Sequence, residues 1–251
     1  MKSRLVRSAL WMLPIIAAWE GVIHAGLVSQ IILPAPSDIV LAAVKDGPAF
    51  LNGFWITLFE IGVSMAIAWM LGLVTGLVAG MMPIIGIGVG SLLSSLFAIP
   101  LVIIYPIFMA WFGLGSPSKI VFGVLSGFFP IALNTMNGIR AIESSYLVMA
   151  RAMGASRMQM YCRVMFPLAL PSIISGLRIG TGLVVIGVVV AEMLASLDGI
   201  GFLISYHRTL FDTGHVYLGF LFALAIAIGV NRGLSTLERR FSQFNVSRDA
   251  G

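Results

Sequence analysis

Residues 61–80 read I-G-V-S-M-A-I-A-W-M-L-G-L-V-T-G-L-V-A-G, and no Asp, Glu, Lys or Arg occurs from Ile61 to Ser118. A helix that crosses a bilayer needs about 20 mostly apolar residues, so this run alone holds two spans. Within lipid only helices satisfy their backbone groups inside one segment, and the alternating polarity of a membrane β-barrel is absent. Of 251 residues, 59% are hydrophobic and 10% charged, far from the balance of soluble domains. The sequence therefore predicts an all-α polytopic membrane protein of about six transmembrane helices, at roughly 8–28, 54–80, 87–111, 120–139, 172–197 and 216–234.

The net charge of +5 is distributed as a topology signal rather than a nucleic-acid footprint. With this span set, Lys2, Arg4, Arg7, Arg140, Arg151, Arg157, Arg163, Arg239, Arg240 and Arg248 fall on one side, and only Lys45, Lys119 and Arg208 on the other. The positive-inside bias makes the first side cytoplasmic, with both termini there. The first apolar run leads into Trp19-Glu20-Gly21 rather than a small-residue cleavage site, so it reads as a retained span. Cys162 is alone, which rules out an internal disulfide and suggests a small apolar filler.

One polar interruption breaks the apolar pattern. Residues 143–171 read E-S-S-Y-L-V-M-A-R-A-M-G-A-S-R-M-Q-M-Y-C-R-V-M-F-P-L-A-L-P. Ile142, Tyr146, Met149, Ala150 and Met153 share one face of a short helix. Gly154 is suited to the left-handed residue that stops it. Ser156 with Gln159 forms a capping-box pattern for a second helix, whose apolar side would hold Met158, Tyr161 and Met165 and which Pro167 would end. This predicts a methionine-faced helix–turn–helix, too short and too charged to cross a bilayer: a docking surface.

From Val148 through Gly154 to Val164-Met165-Phe166-Pro167, this stretch resembles the cytoplasmic loop of bacterial ABC importer permeases, written E-A-A-x3-G-x9-I-x-L-P. Residues 170–180 (L-P-S-I-I-S-G-L-R-I-G) and 190–194 (V-A-E-M-L) resemble the nitrate/sulfonate/taurine branch. So do residues 33–37 (L-P-A-P-S), 111–115 (W-F-G-L-G), 129–131 (F-P-I) and 211–213 (F-D-T). The resemblance implies a type I importer permease in the bacterial inner membrane, working as a homodimer. It also implies separate ATP-binding subunits on the cytoplasmic face, which carry the ATP and Mg, and an external substrate-binding protein. In such a protein Ser145, Val148, Met149, Ala150, Arg151, Met153, Gly154, Ala155, Ser156, Arg157, Val164 and Pro167 belong to the ATPase-coupling loop. Val148 and Met149 stand where the family writes Glu and Ala. If Ser145 caps the helix, that acid would be its third residue and would close a capping box, which Val148 cannot do.

The implied organisation is an N-terminal helix with an external segment over 1–52, a permease core over 53–238 containing the loop at 140–171, and a tail over 239–251. Ser37 or Asp38 is expected to cap a short surface helix through Val44, with a break from Lys45 to Pro48. Glu20 and Glu60 lie near span ends, and related permeases carry a basic residue near Glu60's position. Gly72, Gly76 and Gly80 repeat at a spacing that permits close helix approach. Pro100 and Pro106 kink the third span, to shape either a gate or packing. Candidates for the path or gate are Asn134, Arg178 and Glu192. Asn134 has cross-helix bonding as the competing role, Arg178 can snorkel, and Glu192 is a gate or the support of a helix end. On the outer loop from Asp198 to Gly214, His207, Asp212 and His215 match no standard metal-ligand spacing, so contact with the external binding protein is expected and no metal.

Gly86, Gly88 and Gly90 follow no strand, and no Walker lysine motif occurs in the chain, so any ATP hydrolysis belongs to a partner. The function expected is the translocation path for a small organic or oxyanion solute, sulfonate-, nitrate- or taurine-like, without enzymatic activity or a cofactor of its own. An ion-gradient-driven transporter or channel is the other class. Such proteins place paired ionisable groups or broken helices at the midplane, and the middle of this chain is nearly free of charge.

Overall fold

The structure, a computed structural model, describes residues 2–246, with side chains described for 13–82 and 86–236. Among the described residues every regular element is helical. They are α1 (Lys2–His24), α2 (Pro36–Met81), α3 (Pro83–Phe97), α4 (Tyr105–Phe112), α5 (Ser116–Arg140), α6 (Ser144–Ala152), α7 (Arg157–Met160), α8 (Phe166–Leu194), α9 (Ile200–Thr209) and α10 (Thr213–Val246), with short turns at Leu101–Ile103 and Tyr161–Met165.

Four stretches are long and apolar enough to span a membrane: Pro36–Met81, Ser116–Arg140, Arg157–Leu194 and Thr213–Thr236. Gly86–Phe97 and Leu101–Phe112, bent by 72°, make a fifth if they form one broken span. The break falls at Pro100, whose ring cannot continue the helix, so the expected kink is a full interruption. Of the first expected span, Leu13–His24 is a shorter apolar helix and residues 8–12 lie outside the described side chains. The same holds for Lys2, Arg4, Arg7, Arg239 and Arg240, and Arg248 lies outside the described residues.

Several boundaries differ from expectation. The surface helix before Val44 runs on into α2, and the predicted break survives as one non-helical residue, Asp46, at φ −120°. The stretch from Asp198 to Gly214, expected as an outer loop, contains helix α9. The turn expected from Gly113 to Lys119 ends early: Gly113 takes φ 78° and α5 begins at Ser116, with Pro117 in its first turn, where a missing N–H costs nothing. Lys119 thereby joins a helix instead of a loop.

The chain forms two compact units. One comprises Leu58–Ala191 with Ala227–Gly251. Its interior rests on glycines that let helices touch at the backbone, as the Gly72–Gly80 spacing predicted. A Cβ at Gly76 would stand 2.6 Å from the Ala132 carbonyl oxygen, and one at Gly80 would stand 2.9 Å from Ile139 Cβ. Gly127 and Gly180 do the same for α5 against α8. Lys119, expected on an outer surface, is fully buried in this unit. Its Nζ lies 2.8 Å from Glu60 Oε1, and both side chains are sealed from solvent. A charge at such depth persists only when paired, so each explains the other's position.

The other unit comprises Met1–Thr57 with Glu192–Ile226. Glu20 accepts hydrogen bonds from Ser37 Oγ (2.6 Å) and the Ser37 backbone N–H (3.1 Å). The Asp38 carboxylate accepts from the Ala35 N–H at 3.0 Å. The start of α2 is thus capped by Glu20 and Asp38, and Ser37, the other candidate cap, is a donor to Glu20. Phe50 is completely buried and lies against Phe222, His207 and His215.

Candidate functional site

The loop between α5 and α8 closes on itself through local bonds. After α6, the Gly154 N–H donates to the Arg151 carbonyl (2.9 Å) and the Ala155 N–H to the Ala150 carbonyl (3.0 Å), with Gly154 at φ +77°. That pair of bonds is a Schellman motif, which a left-handed residue makes possible. Ser156 then opens α7 with the predicted capping box. Its Oγ accepts the Gln159 N–H at 3.3 Å, and Gln159 Oε1 accepts the Ser156 N–H at 2.8 Å.

Three expectations for the loop are corrected. The residue before α6 is Glu143, not Ser145, and Ser145 Oγ donates to Glu143 Oε2 at 3.1 Å. Position 148 is therefore in the second turn, where no acid could close a capping box. Of the apolar face expected on α6, Tyr146, Met149 and Met153 are exposed, as a methionine-faced docking surface requires, and Ala150 is buried. Ile142 and Leu147 pack instead on the cluster of Ile139, Met160, Met165, Ala169 and Ile173. Met158 does not share a side with Met165, because Tyr161–Met165 is a π-helical turn. Its wider repeat brings Met160 and Met165 together underneath and leaves Met158 outside, 70% exposed. Pro167 does not end the helix, since the chain stays helical from Arg157 to Leu194. A proline ring collides with the carbonyl four residues back, here Arg163, which lies in that widened turn.

What the loop presents outward is Val148, Met149, Met153 and Met158, with Met153 82% exposed. Arg151 and Arg157 are exposed, Ala155 and Ser156 follow Gly154, and Val164, in the widened turn, and Pro167, in the first turn of α8, are half-buried. Arg140, Arg151 and Arg157 line a cavity of about 650 Å³ between the loop and the ends of α2 and α5. Cys162 is exposed and is not a core filler.

Sequence reasoning also named three path candidates. Asn134 donates from Nδ2 to the Pro130 carbonyl at 2.8 Å on its own helix, and its Cβ lies where Gly176 lacks one. Arg178 lines a cavity of about 400 Å³ with Thr181, Val185, Asn231 and Leu234. Glu192 is buried, and its carboxylate accepts from Thr57 Oγ1 (2.7 Å) and from the Gly201 N–H (2.7 Å). Thr57 Oγ1 in turn accepts the Ile200 N–H at 2.9 Å. Two otherwise unpaired N–H groups at the start of α9 are thus satisfied by Glu192 and Thr57, and an acid belongs at that positive helix end. A Cβ on Gly199 would collide with the Glu192 carboxylate. The sequence signalled Glu192 but not Thr57 or Lys119, because nothing in spacing links residues so far apart.

His207, Asp212 and His215 come within 4.8 Å of one another. Burial pushes the His207 imidazole below its usual value, and neighbouring His215 adds to this. Burial would raise the Asp212 carboxyl, but the ring and backbone N–H of His215 outweigh it and hold the group below the usual range.

The sequence comparisons settle the family. Residues 70–243 match the model of the binding-protein-dependent transport system inner membrane component. The chain belongs to that family. It is 30% identical over 93% of its length to a putative aliphatic sulfonates transport permease protein, SsuC, of Bacillus subtilis, covering 85% of that protein. It is 33% identical to the formylaminopyrimidine transport permease protein ThiX of Halalkalibacterium halodurans, over 83% of each chain. Among solved structures, an inward-facing MetNI methionine ABC transporter superposes with a TM-score of 0.60 at 20% identity, over 75% of this chain and 95% of that one, a likeness of fold. The protein is a multi-pass ABC importer permease.

Proposed function

We propose that this permease is the membrane path for a small organic solute or oxyanion of the sulfonate type, and that α6 and α7 transmit the work of a separate ATP-hydrolysing subunit. One observation carries the reading. The loop is a rigid helix pair, locked by a Schellman motif and a capping box, that exposes Met149, Met153 and Met158. Methionines suit a docking surface because they adapt to a partner's shape. Arg151 and Arg157 beside them, with no acid at position 148, call for an acidic partner groove. Two copies would form the path, with ATP and Mg on the partner and a binding protein outside delivering solute. Nucleotide-driven closure of the partner pair would favour one of two permease arrangements over the other. The sulfonate reading of the cargo rests on the SsuC likeness, and the ThiX likeness keeps a heteroaromatic solute as the competing cargo.

The decisive variant is Gly154→Val. A Cβ at 154 meets no atom within 4 Å, so strain comes only from the positive φ, a cost of about 1–2 kcal/mol. Co-expressed with the ATPase subunit, this variant is expected to insert in the membrane normally while co-purification and uptake fall at least tenfold. Wild-type co-purification, or uptake driven by an ion gradient without any ATPase, overturns the proposal. Cysteine placed at Arg157 is expected to be labelled from the cytoplasm alone. Competition of uptake by alkanesulfonates against a formylated aminopyrimidine identifies the cargo class.

A further inference from the structure

The cavity between the loop of α6 and α7 and the ends of α2 and α5 carries a charge imbalance. Arg140, Arg151 and Arg157 all line it, and among the described residues no carboxylate does. Glu143, the one acid between Arg140 and Met165, lies outside the lining and accepts from Ser145 Oγ at 3.1 Å. Guanidinium groups stay charged and repel one another, yet the fold holds three of them around one space. Arg140 is the last residue of α5. Its Nη2 donates to the Ala79 carbonyl at 3.4 Å, a long bond that occupies one of five donors. Arg151 is in the last turn of α6 and Arg157 opens α7, so the Schellman motif and the capping box between them fix both backbones.

The rest of the lining suits an anion with an apolar body. Ile139, Met160 and Met165 of the buried cluster stand beside the arginines. At about 650 Å³ the space holds more than one phosphate group. Two of the spanning stretches end in its wall, Pro36–Met81 at Met81 and Ser116–Arg140 at Arg140. The cavity therefore stands where a bilayer changes from hydrocarbon to headgroup. Basic pockets between helices at that level take phosphate headgroups, and the guanidinium fork matches phosphate oxygens two at a time.

We propose that Arg140, Arg151 and Arg157 form a binding site for a phosphate-bearing anion, either the headgroup of an anionic lipid or free phosphate. Bound there, the anion neutralises the cavity and ties the loop to the ends of α2 and α5. Arg151 and Arg157 are exposed and have five donors each, so they can bind it and still face a partner. The sequence showed these arginines as a topology signal. That signal places them on one side of a membrane but does not gather them around one cavity.

The test uses the full-length permease, purified without an ATPase subunit and delipidated in neutral detergent, so its outcome is independent of whether the loop docks. Dioleoyl phosphatidylglycerol and dioleoyl phosphatidylcholine are titrated separately, and inorganic phosphate is titrated against chloride at equal ionic strength. A saturable rise in the unfolding midpoint is expected with phosphatidylglycerol and none with phosphatidylcholine, since a ligand of the native state raises it. A rise with phosphatidylglycerol alone assigns the site to a headgroup, a rise with inorganic phosphate alone to the free anion, and rises with both to phosphate from either source. Arg151→Gln and Arg157→Gln are each expected to weaken binding by about tenfold, because each removes a charge-assisted bond. Arg163→Gln, which changes an exposed loop arginine outside the cavity, is expected to keep wild-type affinity. No saturable shift from either phosphate source in wild-type protein overturns the proposal. So does an equal shift from the two lipids with none from inorganic phosphate. Equal weakening in Arg163→Gln and Arg151→Gln also overturns it, because the charge of the surface and not the cavity would then attract the anion.

Discussion

In the loop of α6 and α7 every defining bond joins residues at most five apart: Gly154 to Arg151, Ala155 to Ala150, Gln159 to Ser156. Around Glu192 two of the three bonds join residues 135 and 143 apart, and the buried pair of Glu60 and Lys119 joins helices α2 and α5. The first region forms as soon as its own short sequence does, and it leaves Met149, Met153 and Met158 exposed. The second forms only when distant helices have packed, and its polar groups are consumed internally. A locally closed loop with outward side chains and a set of internal ties therefore place opposite demands on sequence. Local motifs define the one, while isolated polar residues in apolar surroundings betray the other.

The contrast predicts that internal ties control stability and the loop controls coupling. The largest effect is expected at the ion pair. Lys119→Met leaves Glu60 buried without its partner, at a cost of about 3–5 kcal/mol, read as a lower unfolding midpoint in detergent or as lost expression. Combining it with Glu60→Leu is expected to recover most of the loss, because apolar residues of similar volume replace buried pairs at little cost. A double variant as unstable as the single would mean that the pair has a role beyond mutual neutralisation.

Glu192→Gln comes next. The amide keeps one acceptor and turns the other oxygen into a donor facing Thr57 Oγ1 or the Gly201 N–H, a loss of about 1–3 kcal/mol. The expected signature is a lower midpoint together with faster hydrogen exchange at the start of α9. Solute leak at an unchanged midpoint would instead make Glu192 a gate, and the comparison would lose one of its internal ties.

The boundary of legibility follows the same division. The membrane class followed from the charge-free run at Ile61–Ser118, and Gly154, Ser156 and the exposed methionines were readable because helix caps act within one turn. The π-helical turn at Tyr161–Met165 was not readable, since a widened turn carries no residue signature, and missing it misplaced Met158 and Pro167. Lys119 was misassigned because a lysine beside Gly115 and Pro117 looks like a surface turn until Glu60 is seen opposite it. His207, Asp212 and His215 are brought together by the turn at Phe211, which takes φ 56°, and spacing alone does not show that.

Within the loop the effects shrink. Ser156→Ala removes the acceptor for the Gln159 N–H, about 1 kcal/mol. The effect should be confined to α7 and visible as faster exchange at 157–160 with the global midpoint unmoved. Val148→Glu, which restores the acid of the family signature, should change stability least. Position 148 is 61% exposed and lies in the second turn after Glu143, beyond the first turn where an acid gains from the helix dipole. Pairing of the introduced carboxylate with Arg151, one turn on, would add about 0.2–0.5 kcal/mol, so the midpoint should hold within about 0.5 kcal/mol. Affinity for the ATPase subunit is the separate readout. A change there at constant midpoint means that the signature acid acts on the partner surface and not on the helix that carries it. A stabilised α6 with unchanged affinity would place its role inside the loop and break the division between docking surface and internal tie.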